Sequence, residues 1–247
     1  MSKIYEALKK AEHERERSRA LPSPSGMAPS EGVPSDGRDA ADDATEEDYH
    51  RLRAGLVGVG GPSALHTVLV TSARHGEGAS TVSLGLATAL AKERETRVLL
   101  VEGNLRMPSL ARLLAVAPAD GLSEFLDGKA TADGLVVRIE KLNLSAIVAG
   151  NSGRQSLDLE QVANLLARLR PQFDFIIIDA PPVNRYADAS ILAPRVDGVI
   201  LVVEADRTPV AEAESAKRQL DKVDARILGV VLNRRRSYIP AFIESLL

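Results

Sequence analysis

The chain has 247 residues, a length that suits one large α/β domain or a smaller domain with a tail. Hydrophobic residues reach 45% while aromatics stay at 3%, so the core must be built from Val, Leu, Ile and Ala, as buried parallel strands usually are. A net charge of −3 argues against a nucleic-acid partner, and zero cysteines exclude disulfides, thiolate catalysis and cysteine-ligated metals.

No apolar run approaches the ~20 residues that a membrane span needs. The opening MSKIYEALKKAEHERERSRA is densely charged and lacks the apolar stretch of a secretory signal, so the expectation is a soluble cytoplasmic protein. Residues 2–20 read as a short helix, with Ile4, Ala7, Leu8 and Ala11 at helical spacing. So narrow a stripe cannot hold such a helix in water without a partner. Docking onto another protein and packing on its own domain both stay open, while the interspersed acids argue against a lipid surface.

Residues 21–45 shift to Pro, Ser, Gly, Ala and Asp, the composition of a flexible linker. Residues 46–56, EEDYHRLRAGL, are helical again, with Tyr49, Leu52 and Leu56 on one side. Gly58, Gly60, Gly61 and Pro62 read as its end. The expected division is a helix at 1–20, a linker at 21–45 and an α/β domain at 46–247.

From Thr67 onward strands alternate with helices. Strands are expected at 67–71, 97–102, 142–148, 173–179, 198–203 and 227–232. Helices are expected at 80–92, 109–116, 122–127, 159–169, 187–193 and 210–222. The strands are continuous apolar runs such as FIIIDA and VILVVE, as strands buried on both faces are. The alternation predicts a doubly wound, mostly parallel sheet flanked by helices, whose ligand sites lie at the carboxyl ends of the strands. Arg234-Arg235-Arg236 is the one tight basic cluster and reads as the solvated end of the last strand.

Four strand ends carry polar residues suited to one chemistry. Val68-Leu69-Val70 runs into a turn with Gly76 and Gly78, and a helix follows from Ser80. Strand, glycine turn and helix make a phosphate-binding P-loop, where N–H groups at a helix N-terminus face an anion. The motif asks for a lysine before its Ser/Thr, and that place holds Ala79. Gly76, Glu77, Gly78, Ala79, Ser80 and Thr81 are the candidate phosphate-binding residues, with the Ser80 hydroxyl placed for Mg²⁺. The second strand end is Glu102-Gly103-Asn104-Leu105-Arg106. The third is Asp179-Ala180-Pro181-Pro182, where an acid closing an apolar strand beside a P-loop is the usual second Mg²⁺ anchor. The fourth ends in Asn233, a candidate base contact or a strand cap. Together, in this order, they point to a P-loop nucleotide-binding (NTPase) fold.

On these residues the chain resembles the cytoplasmic domain of bacterial tyrosine kinases of the capsular and exopolysaccharide type, within the deviant P-loop ATPases. The family's S-x-x-P-G-E-G-K-S-T loop corresponds to Ser72 to Thr81, with His75 for Pro and Ala79 for Lys. Its D-x-D-x-R motif corresponds to Glu102, Asn104 and Arg106, and its D-x-P-P motif is intact at Asp179. Its E-x-x-R-x-x-R assembly segment appears as Glu47, His50 and Arg53. The resemblance implies ATP or ADP with Mg²⁺ as cofactors, catalysis around Glu102, Asn104 and Arg106, and phosphorylation of a tyrosine-rich tail by a neighbouring subunit. Here the tail holds only Tyr238, which also reads as an apolar contact beneath a final helix.

The expectation is a catalytically impaired, tyrosine-autokinase-like protein that acts as a binding or regulatory partner in exopolysaccharide synthesis and export. Its partner would be a membrane-embedded polysaccharide co-polymerase or an active kinase subunit, with homo-oligomers open. It would reach the inner face of the membrane only through that partner. Two alternatives stand beside it. One is a working autokinase in which Arg74 or His75 replaces the lysine; the other is a positioning ATPase of the partition type.

Overall fold

The computed structural model describes residues 37–60, 65–93, 95–117 and 120–235. The expected helix at 2–20 and most of the expected linker lie outside them. Helix α1 (Gly37–Gly60) is longer than the expected 46–56. Its first turns fall in residues assigned by composition to the linker, where alanines and acids suit the start of a helix.

Seven strands form one sheet in the order β3-β4-β2-β5-β1-β6-β7. They are β1 (Thr67–Ser72), β2 (Val98–Glu102), β3 (Val137–Ile139), β4 (Leu144–Ile147), β5 (Phe175–Asp179), β6 (Gly198–Glu204) and β7 (Ile227–Asn233). All pairings are parallel except β3 with β4. The expected doubly wound sheet is therefore present, with one strand more than the six expected. The added strand is an edge hairpin. Asn143 at φ 51 reverses the chain, so β4 starts at Leu144 and not at 142. Three residues of alternating exposure gave β3 too weak a pattern to stand out.

Helices α2 (Ala79–Ala91), α3 (Leu110–Leu113), α4 (Leu122–Leu126), α5 (Leu159–Leu169), α6 (Asp188–Leu192) and α7 (Val210–Asp221) cover the sheet. α3 is shorter than the expected 109–116 because Ala115 turns left-handed at φ 53. α5 shows how the sequence sets an element. Asp158 accepts the Gln161 N–H as its cap, and Val162, Leu165, Leu166 and Leu169 bury one face.

The core divides into two layers. One side packs Leu69, Leu99, Ile176 and Ile178 against α4, α5 and α7; the other packs Val68, Val70, Leu100 and Ile177 against α1 and α2. Strand residues alternate between the layers, so the interior strands β4, β2, β5, β1 and β6 are buried on both faces. Among the described residues no helix is long and apolar enough to cross a membrane. Arg234 and Arg235 are exposed just beyond β7, and Arg234 pairs with Glu204 at 3.3 Å, as a solvated strand end should.

Candidate functional site

β1, between β5 and β6 in the interior of the sheet, delivers its carboxyl end to the loop 73–78. Gly76 and Gly78 take φ 87 and 91, a left-handed backbone that side chains rarely adopt. Gly78 caps α2, and no side chain caps the helix there. The first-turn N–H groups of α2 therefore remain available to an anion, as helix geometry leaves them.

Two contacts hold the loop in this shape. The Asn233 amide nitrogen donates to the Glu77 carbonyl at 2.8 Å, and a Cβ on Gly78 would lie 2.2 Å from that nitrogen. The buried Glu77 carboxylate accepts the Arg74 N–H at 2.7 Å and the Thr208 hydroxyl. Burial raises the Glu77 pKa, and these donors oppose the rise. Asn233 thus braces the loop, a contact that the sequence did not show. Thr208 joins it from the turn after β6, which no spacing along the chain could show.

Ser80 Oγ donates to Asp179 Oδ2 at 2.6 Å, and Ser83 Oγ reaches Asp179 Oδ1 at 3.3 Å. The structure brings Ser80 and Asp179, the two expected metal-binding residues, into direct contact. Ser83, missed from the sequence, lies one helical turn beyond Ser80 and so shares its face. A hydroxyl and a carboxylate so placed fit a Mg²⁺ ion, and the uncapped helix start fits a phosphate. A cation would supply charge neutralisation between phosphate oxygens at that point.

Ala79 is buried at the helix start, so the loop holds no ammonium there. Arg74 and His75, the alternative cations, are exposed, and Arg74 pairs with Glu212 at 3.3 Å. Tyr49 adds a contact from the other side. Its hydroxyl donates to the Thr81 carbonyl at 3.3 Å, and its ring covers Gly85. In the assembly-like segment, Glu47 pairs with Arg51 at 3.3 Å, while Arg53 pairs with Glu93.

Glu102 and Asp179 are paired in the register of β2 and β5 and are fully buried. Glu102 Oε2 accepts the N–H groups of Ser109 at 2.8 Å and Leu110 at 2.7 Å, so it caps α3. Its side chain also meets the Asp179 carboxyl, with which it shares a hydrogen bond when one of the two is protonated. Burial, then the neighbouring Asp179 charge, pushes Glu102 up to about 8; burial raises Asp179 to about 6. Two adjacent buried carboxyls cannot both ionise cheaply, so the pair holds a proton to higher pH than either carboxyl would alone.

The rest of the second motif is also engaged within the chain. Asn104 Oδ1 accepts the Met107 N–H at 3.2 Å, closing a turn. Arg106 pairs with Asp188 at 3.4 Å and lies over the Tyr186 ring, 4.5 Å from its centroid. Asp188 and Tyr186 follow the D-x-P-P turn, and only the fold brings them to Arg106. Tyr238 lies outside the described residues.

The sheet order, the glycine loop and the acid on the neighbouring strand define the class of P-loop NTPases. Residues 63–243 match the family model ParA, described as NUBPL iron-transfer P-loop NTPase. The tyrosine-protein kinase CpsD of Streptococcus agalactiae is 30% identical over 194 residues, covering 77% of this chain and 83% of that protein. The crystal structure of the VpsO kinase domain shares 30% identity at a TM-score of 0.69, over 80% of this chain and 99% of that one. The succinoglycan biosynthesis transport protein ExoP of Rhizobium meliloti (strain 1021) is 29% identical over 178 residues, 70% of this chain and 22% of ExoP. The chain belongs to the bacterial tyrosine kinases of the CpsD type, within the ParA-like P-loop NTPases.

Proposed function

We propose that this chain is a catalytically impaired member of its family that acts as a binding or regulatory partner in exopolysaccharide synthesis and export. One observation carries the reading. At the loop-lysine position and at the three positions of the second motif, the polar side chain is either replaced or committed to a contact inside the chain. Ala79 supplies no ammonium, Glu102 caps α3, Asn104 closes a turn and Arg106 pairs with Asp188.

The missing ammonium costs a charge-assisted contact of about 1.5–3 kcal/mol, on the order of ten- to a hundredfold in phosphate affinity. Its loss would weigh more on a transition state, where charge develops on the leaving oxygen as the phosphoryl bond breaks. An amide at Asn104 has no basic site to take a proton from an attacking hydroxyl. The backbone N–H groups, Ser80 and Asp179 are retained, and they support weak binding of ATP or ADP with Mg²⁺.

The partner we propose is a membrane-embedded polysaccharide co-polymerase, or an active kinase subunit that the chain accompanies at the inner face of the membrane. ExoP is named for succinoglycan transport, and this chain matches only a part of its length. Residues 2–20 are the proposed docking element.

Direct assay tests the reading. Nucleotide titration should show weak Mg²⁺-dependent binding, and incubation with Mg-ATP should give no phosphotyrosine. Robust phosphotyrosine formation by the purified chain would overturn the reading. For the partner, deleting residues 2–20 should abolish capture of the co-polymerase and leave the melting temperature unchanged. Retained capture would refute the docking element.

A further inference from the structure

β7 is an edge strand, and every one of its residues remains partly exposed. Such an edge, if apolar, is a template for unwanted pairing unless something covers it. Beside it runs a groove of about 200 Å³ between α1 and β7. Leu52, Gly55 and Leu56 form one wall; Leu228, Gly229 and Val231 form the other. A Cβ added to Gly55 or Gly229 would meet nothing within 4 Å, so both glycines face open space. Leu52, Leu228 and Val231 are packed against the core beneath and only partly covered above.

The chain itself continues from this strand. Arg234 takes φ 56 directly after β7, a left-handed residue that turns the backbone out of the strand direction. Residues 236–247 follow, SYIPAFIESLL preceded by Arg236, and lie outside the described residues. Their sequence places Tyr238 and Ile239, Phe242 and Ile243, then Leu246 and Leu247 at intervals of four. That spacing makes one continuous apolar face on a helix, with Pro240 in its first turn where proline is tolerated.

We propose that residues 238–247 form an amphipathic helix that docks in the α1/β7 groove of its own chain. The reach is sufficient. A helix of this length spans about 15 Å, and Gly229 lies about 13 Å back along β7 from Asn233. The tether favours this occupant over a second copy, because a short linker holds it at an effective concentration in the millimolar range. Docking also seats β7, whose Asn233 braces the glycine loop through the Glu77 carbonyl. The tail so placed is a structural cover for the sheet edge, with Tyr238 turned inward.

The chain has no native cysteine, so introduced pairs report without background. Leu56→Cys is combined in the full chain with Phe242→Cys, Ile243→Cys or Leu246→Cys, and with Glu244→Cys as the control. At least one of the first three pairs should form an intrachain disulfide under mild oxidation, several-fold faster than the control. Interchain disulfides alone would assign the groove to a second copy, and cross-linking no faster than the control would leave the tail undocked. Either result overturns the proposal. Should the cysteine variants fold poorly, Ile243→Asp in the full chain gives a second reading. It should raise binding of an apolar dye several-fold and lower the melting temperature, while Glu244→Lys does neither. Equal behaviour of these two variants would also overturn the proposal.

Discussion

The glycine loop and the end of β2 lie on the same rim of the sheet and have kept different things. At the loop the retained features are backbone features. Two left-handed glycines, an uncapped helix start and an asparagine brace fix where N–H groups point, whatever side chain stands at Ala79. At β2 the motif works through side chains, and these now serve the fold: one caps a helix, one closes a turn, one joins an ion pair. On the proposed reading, binding that rests on backbone geometry would survive the loss of a side chain, whereas catalysis that rests on placed side chains would not.

The comparison can be broken most severely at Gly78. Gly78→Val should cost the domain on the order of 1–3 kcal/mol through left-handed strain, plus about 1 kcal/mol for the displaced Asn233 contact. Thermal melts would show this, and nucleotide binding should vanish with the loop geometry. Next comes Ala79→Lys, which should raise Mg-ATP affinity roughly ten- to a hundredfold by calorimetry. An unchanged affinity would mean that the backbone cradle is not intact. Glu102→Ala removes the α3 cap and should cost about 1 kcal/mol in denaturant unfolding.

The buried carboxyl pair gives a pH test. Both groups titrate higher in the folded chain than their ordinary values: Glu102 moves from 4.5 to about 8 and Asp179 from 3.8 to about 6. The folded state therefore keeps protons that the unfolded chain has already released. Stability from this source is fully present below the ordinary values, falls as pH rises toward about 8 and levels off beyond it. Glu102→Gln should flatten the fall across that window, measured as melting temperature against pH. A slope identical to the native chain would place the titration elsewhere. The smallest effect is expected from Tyr49→Phe, which removes one long hydrogen bond to Thr81 and should cost about 0.5 kcal/mol.

Much of this was legible along the chain because the signals are local. Continuous runs such as FIIIDA mark strands buried on both faces, and the glycine turn before Ser80 marks a phosphate loop. The four strand ends followed from alternation alone, and the structure unites them on one rim. What stayed hidden depends on residues far apart in the chain. Thr208 meets Glu77 across 131 positions, and Asp188 meets Arg106 across 82. The capping contact of Glu102 was also invisible along the chain, because only the position of α3 shows which N–H groups its carboxylate accepts. β3 and the early start of α1 were missed because three residues are too few for a period and because acidic, alanine-rich chain reads alike as linker or helix start.

The most direct measurement combines binding and turnover on the native chain and on a variant carrying Ala79→Lys, Glu102→Asp and Asn104→Asp. Both would be titrated with Mg-ATP and followed for ADP release and phosphotyrosine. The native chain should bind weakly and turn over at background, while the triple variant binds at least tenfold tighter and releases ADP measurably. Native turnover equal to that of the triple variant would contradict the account.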